Sequence, residues 1–236
     1  MPQREEFSRT LNLYGEDAIV KLNNSRVAVF GVGGVGGYLC EALCRAGVGQ
    51  IDIFDKDTVS LSNINRQIIA LHSTVGQSKV DVMKARLLDI NPDCKVVSNN
   101  VFYLPENADE YDLSIYDYIA DAVDTVSAKI SLAQRAYSLN IPIISAMGAG
   151  NKTDPTKFEV ADIYKTEVCP LARVMRRELK SRGIEKLKVV YSREEPRKSD
   201  IYDRESKKSI PGSLSFVPSV MGLIMASEII NDIISK

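Results

Sequence analysis

The sequence predicts an α/β protein with a doubly wound, mostly parallel sheet and a C-terminal strand and helix extension. Three observations predict it. Short β-branched apolar runs alternate with helical segments between residues 26 and 150. A glycine-rich turn, Gly31-Val-Gly33-Gly34-Val35-Gly36, follows the first run and opens a helix. Asp55, Asp124 and Gly148-Ala-Gly150 fall at the ends of later runs, on the edge where open parallel sheets bind ligands.

The elements follow in order. Residues 1–25 form an N-terminal helical segment, with Leu11, Leu13, Ile19 and Leu22 as apolar positions of one helix over 7–22. Residues 26–30 are apolar and bounded by glycine, as a buried parallel strand is. Helix 38–46 ends at Gly47, a suitable C-cap. Strand 50–55 comes next, then a polar loop over 57–67. Helix 77–90 is stopped by Asn91-Pro92. Strands 95–101, 118–123 and 141–147 and helix 125–139 complete a core over 26–150. The extension, 151–236, holds strands 157–163 and 187–192, a basic helix 169–182, a charged mobile loop 193–212 and an apolar helix 217–234.

Composition excludes several classes. The chain has 236 residues, 44% hydrophobic and 26% charged, with a net charge of -1, so extended disorder is not expected. No run reads as a membrane span of about 20 apolar residues, so no membrane partner is expected. The polar N-terminus has no apolar leader, and four cysteines without a C-x-x-C pair fit a reducing cytoplasm. One histidine, His72, argues against a His-based triad or a multi-His metal site, and is read as structural. Charge is uneven. Residues 173–208 hold thirteen Lys and Arg against seven acids, a block of +6 that leaves -7 elsewhere. Such a block is either an anionic-partner surface or a solvated face.

Gly31, Gly33, Gly34 and Gly36 let backbone approach a phosphate at a helix N-terminus. Asp55, after the second strand, is placed to grip ribose hydroxyls. This fingerprint alone leaves dinucleotide and mononucleotide open. The stretch Asp55-Lys-Asp57-Thr-Val-Ser60-Leu-Ser-Asn63-Ile-Asn65-Arg66-Gln67, with Lys79 on the next helix, adds two cations at the same edge. A triphosphate calls for them, because cations neutralise charge that develops on a leaving pyrophosphate. Asp124 at that edge suits Mg²⁺, which takes carboxylate and phosphate oxygens.

The Gly31–Gly36 loop, Asp55-x-Asp57, Ser62-Asn-Ile-Asn-Arg-Gln67, Lys79 and Asp124 together resemble the ThiF/MoeB superfamily, the bacterial relatives of ubiquitin-activating enzymes. Phe7-Ser-Arg-Thr-Leu-Asn-Leu-Tyr-Gly15, Gly148-Ala-Gly-Asn-Lys-Thr-Asp-Pro155, Asp162-Ile-Tyr-Lys-Thr166 and Pro170-Leu-Ala172 extend the likeness to its tRNA threonylcarbamoyladenosine dehydratase branch. The resemblance implies a single Rossmann-like adenylating domain over 1–236 that cleaves ATP between its α- and β-phosphates to activate a carboxylate. It implies that Asp55 binds ribose, that Arg66 and Lys79 contact phosphates, that Asn63 helps shape the phosphate pocket, that Asp57 is among the nucleotide-binding residues, and that Asp124 associates with Mg²⁺. Arg9 matches an arginine that a partner subunit contributes, which implies a homodimer with composite sites. The implied substrate is the threonine carboxylate of the modified adenosine beside a tRNA anticodon. Adenylation then allows ring closure with loss of water.

The resemblance gives the basic helix 173–182 and the loop 193–208 a role on tRNA phosphates, with Tyr191 and Tyr202 either stacking on bases or simply packing. The main alternative is an adenylating activator of a ubiquitin-like sulfur-carrier protein, with a sulfur-relay partner and a thiol such as Cys169. A helix start lowers a thiol pKa, although a free cysteine more commonly packs as a small hydrophobe. Cys40 and Cys44 read as packing residues. A dinucleotide oxidoreductase and a non-catalytic nucleotide binder are the remaining readings, and Arg66, Lys79 and Asp124 as a set argue against the latter.

Overall fold

The computed structural model describes residues 5–198 and 210–235. Seven strands form one sheet: β1 (Arg26–Phe30), β2 (Gln50–Phe54), β3 (Lys95–Asn99), β4 (Tyr118–Asp121), β5 (Ile143–Ala146), β6 (Phe158–Asp162) and β7 (Lys188–Ser192). The order is β3-β2-β1-β4-β5-β7-β6. Every pair is parallel except β6 with β7, which is antiparallel. The order reverses between β1 and β4. The loops that leave these two neighbours therefore diverge to opposite faces and open a crevice at their carboxyl ends.

The described residues form seven α-helices: α1 (Ser8–Tyr14), α2 (Glu16–Asn23), α3 (Gly36–Ala46), α4 (Lys79–Ile90), α5 (Val126–Ser138), α6 (Pro170–Lys180) and α7 (Phe216–Ser235). One face packs Val27, Val29, Ile51 and Ile53 against Leu39, Leu43, Met83 and Leu87 and against Met221, Met225 and Ile229 of α7. The other packs Phe30, Phe54 and Ile119 against Ala128, Leu132 and Ala136 of α5. β1 and β2 bury nearly every residue because both faces are covered, as the uninterrupted apolar runs predict.

Three expectations need correction. Residues 7–22 are two helices, because Gly15 has φ +82° and turns the chain between them. Helix α7 has 20 residues with a mean hydropathy of 1.5, so in length and composition it reaches what a membrane span needs. Its apolar face lies on the core, Gly222 lets it approach Val35 of the glycine loop, and Glu228 and Asp232 pair with Lys188. The start of the charged loop is also tied down. Arg193 donates its backbone N–H to Lys157, and buried Glu194 accepts from the backbone N–H groups of Thr153 and Asp154. Residues 199–209, with Tyr202, Arg204, Lys207 and Lys208 of the basic block, lie outside the described residues.

Candidate active site

The crevice between the β1 and β4 loops holds a cavity of about 390 Å³. Its floor is the glycine loop. Gly31 has φ +92°, and a Cβ there would lie 2.7 Å from the Ala122 carbonyl oxygen. A Cβ on Gly36 would lie 1.8 Å from the Gly31 carbonyl oxygen. No side chain fits at either place, so the β1 loop, the start of α3 and the β4 loop meet backbone to backbone. Gly33 and Gly34 also line the cavity.

Asp55 sits directly after β2. Its Oδ2 accepts from the Val32 N–H at 2.8 Å and its Oδ1 from the Asp57 N–H at 2.9 Å. The carboxylate is thus locked toward the glycine loop, with lone pairs left for a sugar hydroxyl. The following loop doubles back: Thr58 bridges Ser78, and Lys79 donates its backbone N–H to Asp57. That small ribbon carries the first residue of α4 into the cavity. Lys79 is buried, with its Nζ 2.7 Å from Asp57 Oδ2 and 3.9 Å from Asp55 Oδ1.

Asn63 is also buried and closes a short 3₁₀ turn by accepting the Ser60 N–H on its Oδ1. The turn aims Arg66 into the cavity, where its Nη1 donates to the Ser62 carbonyl and to Asn65 Oδ1. Among the described residues, Arg66 has no carboxylate partner within 4.0 Å. Asp124 is exposed at the opposite wall; among the described residues its hydrogen-bond partner is Thr125 Oγ1 at 3.4 Å. Asp55, Asp57, Asn63, Arg66, Lys79 and Asp124 therefore share one cavity, as the spacing predicts. Arg9 does not line it; it is exposed on α1 of the same chain.

Several contributors escaped sequence reasoning. Gln67 is buried in the cavity wall, and its Oε1 has no hydrogen-bond partner among the described residues. An orphaned buried oxygen beside a nucleotide-sized cavity suits a ligand donor. The Lys56 ammonium lies 3.8 Å from the Phe102 ring centroid at the rim. Pro211, Gly212 and Ser213 close the cavity from the C-terminal extension. Beneath Asp124, Asp121, Lys129 and Ser145 are fully buried. Lys129 Nζ lies 2.9 Å from Asp121 Oδ2 and donates to the Val123 carbonyl at 3.1 Å, while Asp121 Oδ1 accepts the Val123 N–H. The pair sets the course of residues 122–124. Only Gln67 carried a signal in the sequence, its place in the motif; Lys129 looks like an ordinary surface lysine.

Other expectations resolve plainly. Tyr191 is buried, donates to Glu159 and does not present its ring for stacking. All four cysteines are buried and free. Cys40 and Cys44 pack in the core, where burial pushes the Cys40 thiol pKa up. Cys169, only 2% exposed, precedes α6. His72 is exposed in a 3₁₀ turn, outside the cavity. Part of the basic block is neutralised: Arg177 and Arg182 pair with Glu178, and Arg193 with Glu159 and Glu167. Arg173, Lys180 and Lys186 have no carboxylate partner among the described residues.

Comparison with known proteins agrees with this geometry. The ThiF family model matches residues 7–236. The chain is 46% identical over 240 residues to the tRNA threonylcarbamoyladenosine dehydratase of Bacillus subtilis, covering 97% of this chain and 94% of that protein. Two structures of Escherichia coli TcdA, a tRNA N6-threonylcarbamoyladenosine dehydratase, superpose with TM-scores of 0.89 (with AMP) and 0.88 (with ATP). Each is 34% identical, over 98% of this chain and 95% of that one. A fold with its cations and acids gathered at the β1/β4 crevice, and a family match over nearly its whole length, lead to one conclusion: the chain belongs to the ThiF family.

Proposed function

We infer that this chain is an ATP-dependent tRNA threonylcarbamoyladenosine dehydratase. The observation that carries the reading is the clustering of Asp55, Arg66, Lys79 and Asp124 around one cavity whose floor is bare backbone. The 46% identity to the B. subtilis dehydratase and the ATP and AMP complexes of the E. coli relative support it. The glycine loop and the start of α3 receive the α-phosphate, and Asp55 holds the ribose. Arg66 and Lys79 neutralise the pyrophosphate as it leaves. One oxygen of the threonine carboxylate attacks the α-phosphorus, the bond to the β-phosphate oxygen breaks, and the acyl group is left on AMP. A nucleophile of the same modified base then attacks the acyl carbon and AMP departs with its former carboxylate oxygen. Ring closure is intramolecular, so effective molarities of about 10⁵ M or more assist it.

Mg²⁺ fits the donors present. No cluster of three or more Asp, Glu, His or Cys suited to a metal occurs among the described residues. A single exposed carboxylate, Asp124, facing a phosphate cavity is how Mg²⁺ is usually held, with phosphate and water completing its shell. When bound it would screen phosphate charge. The protein works as a homodimer in the cytoplasm, each protomer lending Arg9 to its partner's cavity; exposure of Arg9 outside its own cavity supports this arrangement. The exposed face of α6, with Arg173 and Lys180, supplies phosphate contacts for tRNA. The 46% identity to a dehydratase over nearly the whole chain favours the dehydratase reading over the carrier-protein one.

The test mixes the protein with ATP, Mg²⁺ and tRNA bearing threonylcarbamoyladenosine, digests mildly, and weighs the nucleosides. ATP-dependent appearance of the nucleoside minus one water is expected. AMP release with a carrier protein instead of tRNA would overturn the assignment.

A further inference from the structure

A second cavity, of about 400 Å³, adjoins the first. The two share a wall made by Ala122, Val123, Asp124, Ala149 and Gly150. The far side is mostly apolar, with Met147, Cys169 and Leu171. Among the described residues the cavity contains a single cation, Lys152, and a single acid, Asp124 on the shared wall.

Lys152 is an unusual lysine. It is 3% exposed, and its Nζ donates to the Glu194 carbonyl at 2.5 Å. The Glu194 carboxylate is not its partner, being taken by Thr153 and Asp154. Among the described residues no carboxylate lies within 4.0 Å of Nζ. The Glu194 carboxylate pulls on this ammonium without touching it, and a buried ammonium with no carboxylate in direct contact is costly to keep unless something anionic completes its shell. Burial pushes its pKa down, against the opposing pull of Cys169 and Glu194. One of its three N–H groups is used by Glu194, which leaves donors for a ligand.

We propose that this second cavity is the acyl subsite, taking the small carboxylate-bearing amino-acid arm of the substrate, with Lys152 as the cation that holds the carboxylate. The shared wall sets an acyl oxygen held there beside the α-phosphate end of the nucleotide cavity. The apolar side suits the methyl-bearing side chain of threonine, and size and polarity match a ligand with one charged group. Lys152 is then a substrate-binding residue that fixes which carboxylate oxygen is free to attack. This proposal rests on the dehydratase reading and adds the location and chemistry of its second ligand.

The test compares wild type with Lys152→Gln, Lys152→Arg and Gly148→Val. Glutamine retains a donor for the Glu194 carbonyl and removes the charge. Valine at Gly148 builds methyl groups into the cavity, since a Cβ there lies 3.8 Å from Cys169 Sγ. ATP affinity and melting temperature are measured beside turnover of modified tRNA. Lys152→Gln is expected to keep ATP affinity and lose turnover by about ten- to a hundredfold, the size of a charge-assisted hydrogen bond. Lys152→Arg recovers part of that loss, and Gly148→Val binds ATP without turnover. Wild-type turnover in Lys152→Gln or in Gly148→Val would overturn the subsite while leaving the dehydratase reading intact. A wild-type protein that binds ATP but dehydrates no modified tRNA would overturn that reading itself.

Discussion

Lys129→Met tests whether the buried pair under the β4 loop organises the active site. Lys129 and Asp121 are both fully buried, 2.9 Å apart. The substitution removes one ionic hydrogen bond, worth about 1.5–3 kcal/mol, and one to the Val123 carbonyl, worth about 0.5–1.5 kcal/mol. The Ser145 hydroxyl and the Val123 N–H still serve Asp121, so its charge is not wholly stranded. The total of about 2–4.5 kcal/mol agrees with the roughly 3–5 kcal/mol typical of breaking a buried pair. For a chain of this length the worked total lowers the melting temperature by about 4–18 °C. The assay is denaturant unfolding of wild type, Lys129→Met, Asp121→Asn and the double variant, with ATP affinity measured on each. The double variant should be less destabilised than the sum of the singles, by about 0.5–3 kcal/mol. Both singles should weaken ATP binding, because residues 122–124 line the cavity and hang on this pair. A Lys129→Met protein within about 0.5 kcal/mol of wild type, or additive singles, would refute the reasoning.

Three further outcomes are expected. Lys79→Met should cut turnover by about 10²–10³-fold while the fold is kept, since among the described residues its ammonium pairs only with the cavity acids Asp57 and Asp55; single-turnover AMP release reads this. Gly36→Ala should abolish nucleotide binding by equilibrium dialysis, because its Cβ would overlap the Gly31 carbonyl at 1.8 Å and displace the loop. Burial alone would raise the Glu41 carboxyl pKa, but hydrogen bonds from Arg86 and Arg45 bring it below the ordinary carboxylate value. Its stabilisation is therefore present above the unfolded carboxyl value, about 4.3, and lost as pH falls through the folded one. The melting-temperature gap between wild type and Glu41→Gln should be open at neutral pH and close on acidification.

The parts of the fold that are local were legible. The β1 run, the glycine loop and the start of α3 form one continuous segment whose chemistry is written in consecutive residues. The acid and cation set was legible too, because the segment after β2 is too polar to be a mere connection. Strand ends were read too long, and the reason is physical. Val123 and Met147 continue the apolar runs of β4 and β5 past the last strand residue and wall a cavity, although Met147 still donates its N–H to the Val190 carbonyl. Val101, preceded by three polar residues, follows β3 and lines the first cavity. Periodicity cannot separate an apolar residue that pairs in a sheet from one that faces a ligand. Lys129 and Lys152 were missed for the opposite reason. Each has the composition of a solvated surface position, and only tertiary packing buries it. The break at Gly15 depends on a positive φ that no hydrophobic pattern records.

The pairing of Lys79 with Asp57 bears on how the site takes up a polyanion. The ammonium is buried, while the Asp57 side chain is 54% exposed. A buried cation is costly to leave without an anion nearby, and an exposed carboxylate returns to water at small cost. Under the proposed function Asp57 is a replaceable counter-ion, keeping Lys79 neutralised until phosphate oxygens take its place. Asp55 does not behave this way, because the backbone N–H groups of Val32 and Asp57 hold it. The proposed function would thus divide the work between two aspartates two residues apart, one fixed for the ribose and one exchangeable beside the phosphates. Asp57→Asn should then raise ATP affinity or leave it unchanged, whereas Asp55→Asn should lower it. Isothermal titration of the two variants measures the contrast, and a loss of affinity equal in both would remove the division of roles.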